Sequence, residues 1–154
     1  MYHTLLILHS VTRWVVLLFI TLAILRSLFG YLRKRNFTGA DNAVRHWTAT
    51  IAQIQLMLGI LLYTQSPVIK SFWSLPKEGI HVMDLAFFSL IHILFMFVSV
   101  GILTTGSALA KRRQADKEKF STILIWFSIA LIVIFLAIPW PFSPLSNRPY
   151  FRTF

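Results

Sequence analysis

The chain has 154 residues, of which 56% are hydrophobic and only 13% are charged. So little polar surface cannot solvate a globule of this size, which excludes an ordinary soluble domain. The formal charge of +10 comes from Lys and Arg in short connections between apolar runs, so it indicates membrane topology and argues against a nucleic-acid partner. The absence of Cys excludes disulfides, iron–sulfur clusters, thiolate haem ligation and covalent haem attachment.

Four long apolar runs predict an all-α integral membrane four-helix bundle. Because about 20 apolar residues cross the hydrocarbon core, we expect spans at about 4–29, 46–65, 82–109 and 120–138. One transmembrane domain then covers residues 1–154. The N-terminal MYHTLLILHSVTRW lacks the basic region and cleavage pattern of a secretory signal, so we interpret the first run as a retained span.

The connections between the spans predict the topology. RSLFGYLRKRNFTGADNAVR joins the first two spans and KRRQADKEK joins the last two, and both segments are rich in Lys and Arg. The positive-inside rule makes such connections cytoplasmic, which places both termini on the exterior side. The segment between the second and third spans holds only Lys70 and Lys77, in agreement with an exterior connection.

Local signals mark two helix ends. Thr38 followed by Asp41 is typical of a capping box with an acidic closing residue, so we expect a short interfacial helix start before the second span. In the closing segment AIPWPF, Pro139 and Pro141 cannot continue helical hydrogen bonding, and Trp140 suits the headgroup layer.

Polar groups within the first two spans are few, and each needs a partner or a ligand because a bilayer does not solvate it. His9 and Arg13 are four residues apart and share one face of the first helix. Arg13 could meet the carboxylate of a ligand such as a haem propionate, snorkel toward the headgroups, or pair with Asp84. On the second helix Gly59 lies near the depth of His9, where it would let a flat ring or another helix approach closely.

The third span carries a second deep imidazole, His92. The first and third helices run in the same direction, so His9 and His92 descend from one surface by roughly 8 and 15 Å at the helical rise. Neutral imidazoles from facing helices are ordinary axial ligands of haem iron, and bundle cores house cofactors. We therefore predict a cofactor site of His9, His92, Arg13 and Gly59 that holds haem b, with quinone as the other candidate.

Other interpretations of the same residues stay open. A membrane histidine often only hydrogen-bonds across helices, and two imidazoles alone make a sparse copper or zinc site. No carboxylate pair, zinc-protease helix, phosphate loop or nucleophile elbow is present, so the sequence does not decide whether the protein is an enzyme. The two hypotheses are electron transfer by a b-type haem, linked to quinone, and a cofactor-free accessory subunit of a larger membrane complex.

Five segments support a family resemblance: HSVTRW at 9–14, FTGAD at 37–41, IAQIQLMLGILLY at 51–63, SLIHILFM at 89–96 and AIPWPF at 137–142. In these segments the chain resembles the small four-span bacterial membrane proteins labelled cytochrome b-like. The resemblance implies a haem-bearing bundle in the bacterial inner membrane, with other membrane subunits or redox proteins as partners. It places His9 and His92 at family histidine positions.

Two positions depart from that family pattern. Gln53 stands where such proteins often have His, and Ile91 stands where they often have Glu before the third-span histidine. Gln53 would be a poor iron ligand, so the departures concern haem ligation and proton handling. They are also compatible with a member that kept the bundle without the cofactor.

Overall fold

The computed structural model describes residues 2–74 and 86–140, which are helical for most of their length. The helices are α1 (Tyr2–Leu32), α2 (Gly39–Gln65), α3 (Pro67–Ser74), α4 (His92–Arg112) and α5 (Asp116–Ala137). A π-helical turn, Phe87–Ile91, leads directly into α4. No strand occurs within the described ranges.

Four of these helical segments are long and apolar enough to cross a membrane: α1, α2, the continuous segment Phe87–Arg112, and α5. Their outward faces carry large apolar side chains such as Leu18 and Leu136, which are 65% and 61% exposed. Lipid tails are the natural solvent for such faces. The prediction of four apolar helices is confirmed, and the chain is a multi-pass membrane protein.

Two helices begin before the spans predicted from hydropathy. The second helix begins at Gly39 rather than at residue 46, and α5 begins at Asp116 rather than at residue 120. Hydropathy detects only the apolar length of a helix that lies within the membrane, whereas the hydrogen-bonded helix includes the polar first turns before it. The predicted start of the third span, residue 82, lies outside the described residues.

The predicted capping box at Thr38 is confirmed and explains why α2 begins early. The Thr38 hydroxyl accepts a hydrogen bond from the backbone N–H of Asp41, and the Asp41 carboxylate accepts one from the N–H of Thr38 at 2.9 Å. Because the box caps the first turn of α2 itself, the expected interfacial helix start is the beginning of one continuous helix.

The end of the bundle that carries the connections 33–38 and 113–115 is called the basic end here. Asp41 is buried there, with its oxygens 2.8 Å from Arg26 and 2.6 Å from Arg35. By accepting these hydrogen bonds the carboxylate raises the pKa of the Arg35 guanidinium. Arg45 is also buried and donates to the Ser107 carbonyl at 2.9 Å. These contacts fasten α2 to α1 and to α4.

Tight glycine contacts bring the helices close together at the same end. A Cβ at Gly30 of α1 would overlap the Phe120 ring, and a Cβ at Gly106 of α4 would overlap the Trp126 side chain. Phe120 and Trp126 belong to α5, which therefore packs closely on both helices. Small residues permit this approach where no water-driven force holds helices together.

The helices are arranged as a square in cross-section. Each of α1 and α4 packs against both α2 and α5, while α1 and α4 occupy a diagonal of the square. The core between them contains fully buried Ile20, Leu103 and Phe127. Side chains that point inward from α1 and α4 therefore meet at the centre of the bundle.

Candidate cofactor site

A cavity of about 190 Å³ lies at the end of the bundle opposite the basic end, called the histidine end here because His9 and His92 line it. Arg13 and Gly59 line it as well, so all four residues predicted for a cofactor site face one space. Most of the remaining wall is apolar, with contributions from Val16, Leu56, Ile60, Met96 and Ile134. An apolar cavity with a few converging polar groups is the usual form of a small-ligand site.

The two imidazoles face each other across the diagonal of the bundle. The centres of the His9 and His92 rings are 6.4 Å apart, and the ring planes are inclined by 74°. Even if one nitrogen of each ring lay on the line that joins the two centres, the nitrogens would be too far apart for a direct hydrogen bond. The described residues show no hydrogen bond between the two rings, which instead make an edge-to-face contact.

His92 is oriented by the end of α5. Its Nδ1 lies 2.8 Å from the carbonyl oxygen of Ala137. A carbonyl oxygen only accepts, so Nδ1 carries the hydrogen and donates it, which leaves the Nε2 lone pair free in the neutral ring. Metal-binding histidines are commonly oriented by a backbone carbonyl in this way.

The closing proline-rich segment explains why that carbonyl is available. In a continuing helix the Ala137 oxygen would accept from the N–H of residue 141, but that residue is Pro141 and has no N–H. Pro139 likewise provides no N–H for the Phe135 oxygen, which instead accepts from the Trp140 indole at 2.8 Å. The last turn of α5 thus has carbonyl oxygens that accept from side chains, one of which is His92.

His9 is oriented by Gln55 of α2. The Gln55 amide nitrogen lies 2.8 Å from the His9 backbone oxygen and 3.2 Å from His9 Nδ1. The Gln55 amide oxygen accepts from the Thr12 hydroxyl. Because the backbone oxygen only accepts, the amide nitrogen must face His9, and its two hydrogens serve that oxygen and Nδ1. His9 Nδ1 is therefore an acceptor, and Nε2 carries the hydrogen.

Gly59 provides the space that the His9 ring occupies. A Cβ at this position would lie 3.2 Å from His9 Cε1 and 3.7 Å from His9 Nδ1. The imidazole of α1 therefore occupies the space beside this glycine.

Arg13 brings a positive charge to the cavity one helical turn from His9. Its guanidinium carbon lies 5.3 Å from the centre of the Trp14 ring. The predicted alternative partner, Asp84, lies outside the described residues. Arg13 is therefore the described cation nearest in sequence to His9 that lines the cavity.

The predicted cofactor site leaves out Gln55, and the family resemblance draws attention to Gln53 instead. Gln53 is exposed, lies away from the cavity and donates to the Thr104 hydroxyl at 3.1 Å. Gln55 lies two residues along α2, which turns it to the opposite side of the helix and into the cavity. The available signal was the series Gln55, Gly59 and Tyr63 at a spacing of four, and all three residues line the cavity.

The residues fit a haem iron in two respects. Metal–imidazole bonds of about 2 Å, together with the radius of each ring, place two ring centres about 6 Å apart around one ion, and the observed distance is 6.4 Å. His92 also presents a free Nε2. Among the described residues no group of three or more His, Cys, Asp or Glu gathers, so an ion here would need further ligands such as those of a porphyrin.

Two adjustments accompany that fit. Ligation through His9 Nε2 requires the hydrogen to move to Nδ1, and the Gln55 amide must then turn its oxygen toward the ring. The cavity of about 190 Å³ is smaller than the roughly 300 Å³ at which ligand pockets usually begin, so a macrocycle also requires the helices at the histidine end to separate.

Comparisons with protein-family models, with curated proteins and with solved structures find no match to this chain. The fold and the cavity themselves define its class, a multi-pass helical membrane protein with a histidine-lined cavity at one end of the bundle.

Proposed function

We propose that this chain is a b-type haem protein of the bacterial inner membrane that transfers electrons. The observation that carries the proposal is the 6.4 Å separation of the His9 and His92 ring centres in a cavity that Arg13 and Gly59 also line. When bound, haem supplies one-electron oxidation and reduction.

Three polar residues of the cavity have separate roles in this proposal. His92 is the ligand that needs no rearrangement, because its Nδ1–H is already held by the Ala137 carbonyl. His9 is the second ligand and becomes available when the Gln55 amide turns. Arg13 would provide a positive charge for a propionate, and the apolar walls would keep water from a bound iron and so tune its reduction potential.

We assign the basic end to the cytoplasm. The segments 33–38 and 111–119, which contain the two connections, are rich in Lys and Arg, and such segments stay on the cytoplasmic side. Both termini and the histidine end then lie on the exterior side of the membrane. A redox partner, either another membrane subunit or a soluble carrier, would meet the cavity from that side.

An absorption spectrum of the protein, purified after expression with ample iron and haem precursor, tests the proposal. We expect a Soret band in the wild type, loss of the band in His92→Ala, and a shift to a five-coordinate spectrum in His9→Ala. His46→Ala is the matched control, because His46 is exposed near the start of α2, away from the cavity. Wild-type protein without a Soret band, or unchanged spectra in both cavity variants, would contradict the proposal.

A quinol head group without haem is the second candidate, and the hydrogen-bonding pattern of the two rings favours it. His9 presents an N–H and His92 presents a lone pair, as a ligand with one accepting and one donating oxygen requires. Solvent extraction of haem-free protein, followed by mass spectrometry, would detect a stoichiometric quinone. Protein that lacks both haem and quinone would instead favour the accessory-subunit hypothesis.

A further inference from the structure

We infer that Gln55 is the specificity-determining residue of the cavity, because its amide fixes His9 as a hydrogen-bond donor toward the ligand. This inference rests on the proposed function, since it names the residue that decides whether His9 ligates iron or binds an oxygen atom. In this role Gln55 does not contact the iron. It acts through the His9 ring.

The His9 backbone oxygen determines the orientation of the Gln55 amide because it can only accept, whereas His9 Nδ1 and the Thr12 hydroxyl, which also lies 2.7 Å from the Leu8 oxygen, can each donate or accept. The amide nitrogen lies 2.8 Å from the His9 backbone oxygen and 3.2 Å from His9 Nδ1, and the amide oxygen accepts from Thr12. If the amide turned, its oxygen would lie 2.8 Å from the His9 backbone oxygen, and neither oxygen can donate a hydrogen bond. The turn would also remove the donor to Nδ1. Leaving buried groups unpaired in this way is unfavourable.

This orientation makes the two histidines chemically different. His92 is held by a carbonyl that can only accept, so it presents a lone pair to the cavity. His9 is held by an amide nitrogen that can only donate, so it presents an N–H. The unaltered cavity therefore favours an oxygen atom at His9, and iron binds more readily to His92.

The tautomer of His9 is directly measurable. Solid-state ¹⁵N spectra of haem-free protein, labelled at histidine and reconstituted in lipid vesicles, separate protonated from unprotonated ring nitrogens. The His9 signals are assigned by their loss in His9→Ala. We expect hydrogen on Nε2 in the wild type. In Gln55→Glu, measured at an alkaline pH at which the new carboxyl group is ionised and can only accept, we expect the hydrogen on Nδ1.

Gln53→Glu is the matched control, because it places the same carboxylate on the same helix but outside the cavity. We expect it to leave the His9 signals unchanged. Hydrogen on His9 Nδ1 in the wild type would overturn the inference, and so would a Gln55→Glu variant with the wild-type tautomer. If that variant does not fold, the wild-type spectrum still decides, and Gln55→Met, which lacks the amide donor, should populate both tautomers.

The haem spectrum separates this inference from the proposed function. In haem-loaded protein Gln55→Glu should raise the six-coordinate fraction above that of the wild type and of Gln53→Glu. A wild type that binds no haem but has hydrogen on His9 Nε2 contradicts the proposed function and supports the inference. A wild type that binds haem but has hydrogen on Nδ1 in its haem-free form supports the proposed function and overturns the inference.

Discussion

Gly59→Ala tests whether the His9 ring occupies the space that the structure assigns to it. The added Cβ would lie 3.2 Å from His9 Cε1, so the ring must move by a few tenths of an ångström toward the cavity. Overpacking of this kind costs about 1–3 kcal/mol, while Ala in a helix interior gains about 1 kcal/mol over Gly. We therefore expect a net change between no effect and a loss of about 2 kcal/mol.

Gly101→Ala provides the matched control for that experiment. Gly101 lies inside α4, is exposed, and has no atom within 4 Å of an added Cβ. It should show the helix-propensity gain alone, so the free energy of unfolding of Gly59→Ala should be lower than that of Gly101→Ala by about 1–3 kcal/mol. Reversible unfolding in mixed micelles measures this difference.

A His9→Ala background completes the cycle. Without the imidazole, Gly59→Ala and Gly101→Ala should have equal effects on the free energy of unfolding. If the two substitutions have equal effects while His9 is present, the ring does not pack against Gly59 and the described position of His9 is wrong.

Two further predictions concern the basic end. Asp41→Asn should lower the free energy of unfolding by about 1–3 kcal/mol, because it removes the carboxylate shared by Arg26 and Arg35; chemical unfolding measures the loss, and an unchanged midpoint would contradict it. Reporter fusions should show cytoplasmic activity for insertions after Arg113 and exterior activity at the C-terminus, and the reverse pattern would refute the assigned topology.

The positions of the four apolar helices could be predicted because membrane crossing depends mainly on local hydropathy. The start of α2 could not be placed from hydropathy, because its first turns carry Asp41 and Arg45, which are buried by partners from α1 and α4. The capping box at Thr38 indicates a helix start, but whether that start is continuous with the second span depends on partners such as Ser107, which is distant in sequence.

The candidate site was predictable only in part for a similar reason. A spacing of four places His9 and Arg13 on one face, but it does not show which glutamine of α2 faces them. Gln53 and Gln55 differ by about 200° around the helix, so only the packing of α2 against α1 selects Gln55. The tautomers depend further on single acceptor and donor atoms, the Ala137 oxygen and the Gln55 amide nitrogen.

His92→Asn separates the structural role of this residue from its proposed role as a ligand. The asparagine amide nitrogen can replace Nδ1 as donor to the Ala137 oxygen, but asparagine lacks the ring nitrogen that faces the cavity. We expect the free energy of unfolding of His92→Asn to exceed that of His92→Ala by about 1 kcal/mol, because His92→Asn retains the hydrogen bond.

Haem binding should respond differently from stability in these two variants. Because both remove Nε2, both should lose the Soret band of the wild type, even though only His92→Ala loses the hydrogen bond to α5. Haem retained by His92→Asn but lost from His92→Ala would show that the histidine matters through its contact with Ala137, and the ligand would then have to be sought elsewhere. Loss in both variants, with stability preserved in His92→Asn, would assign Nε2 to the iron, since the helix contact alone would then be insufficient.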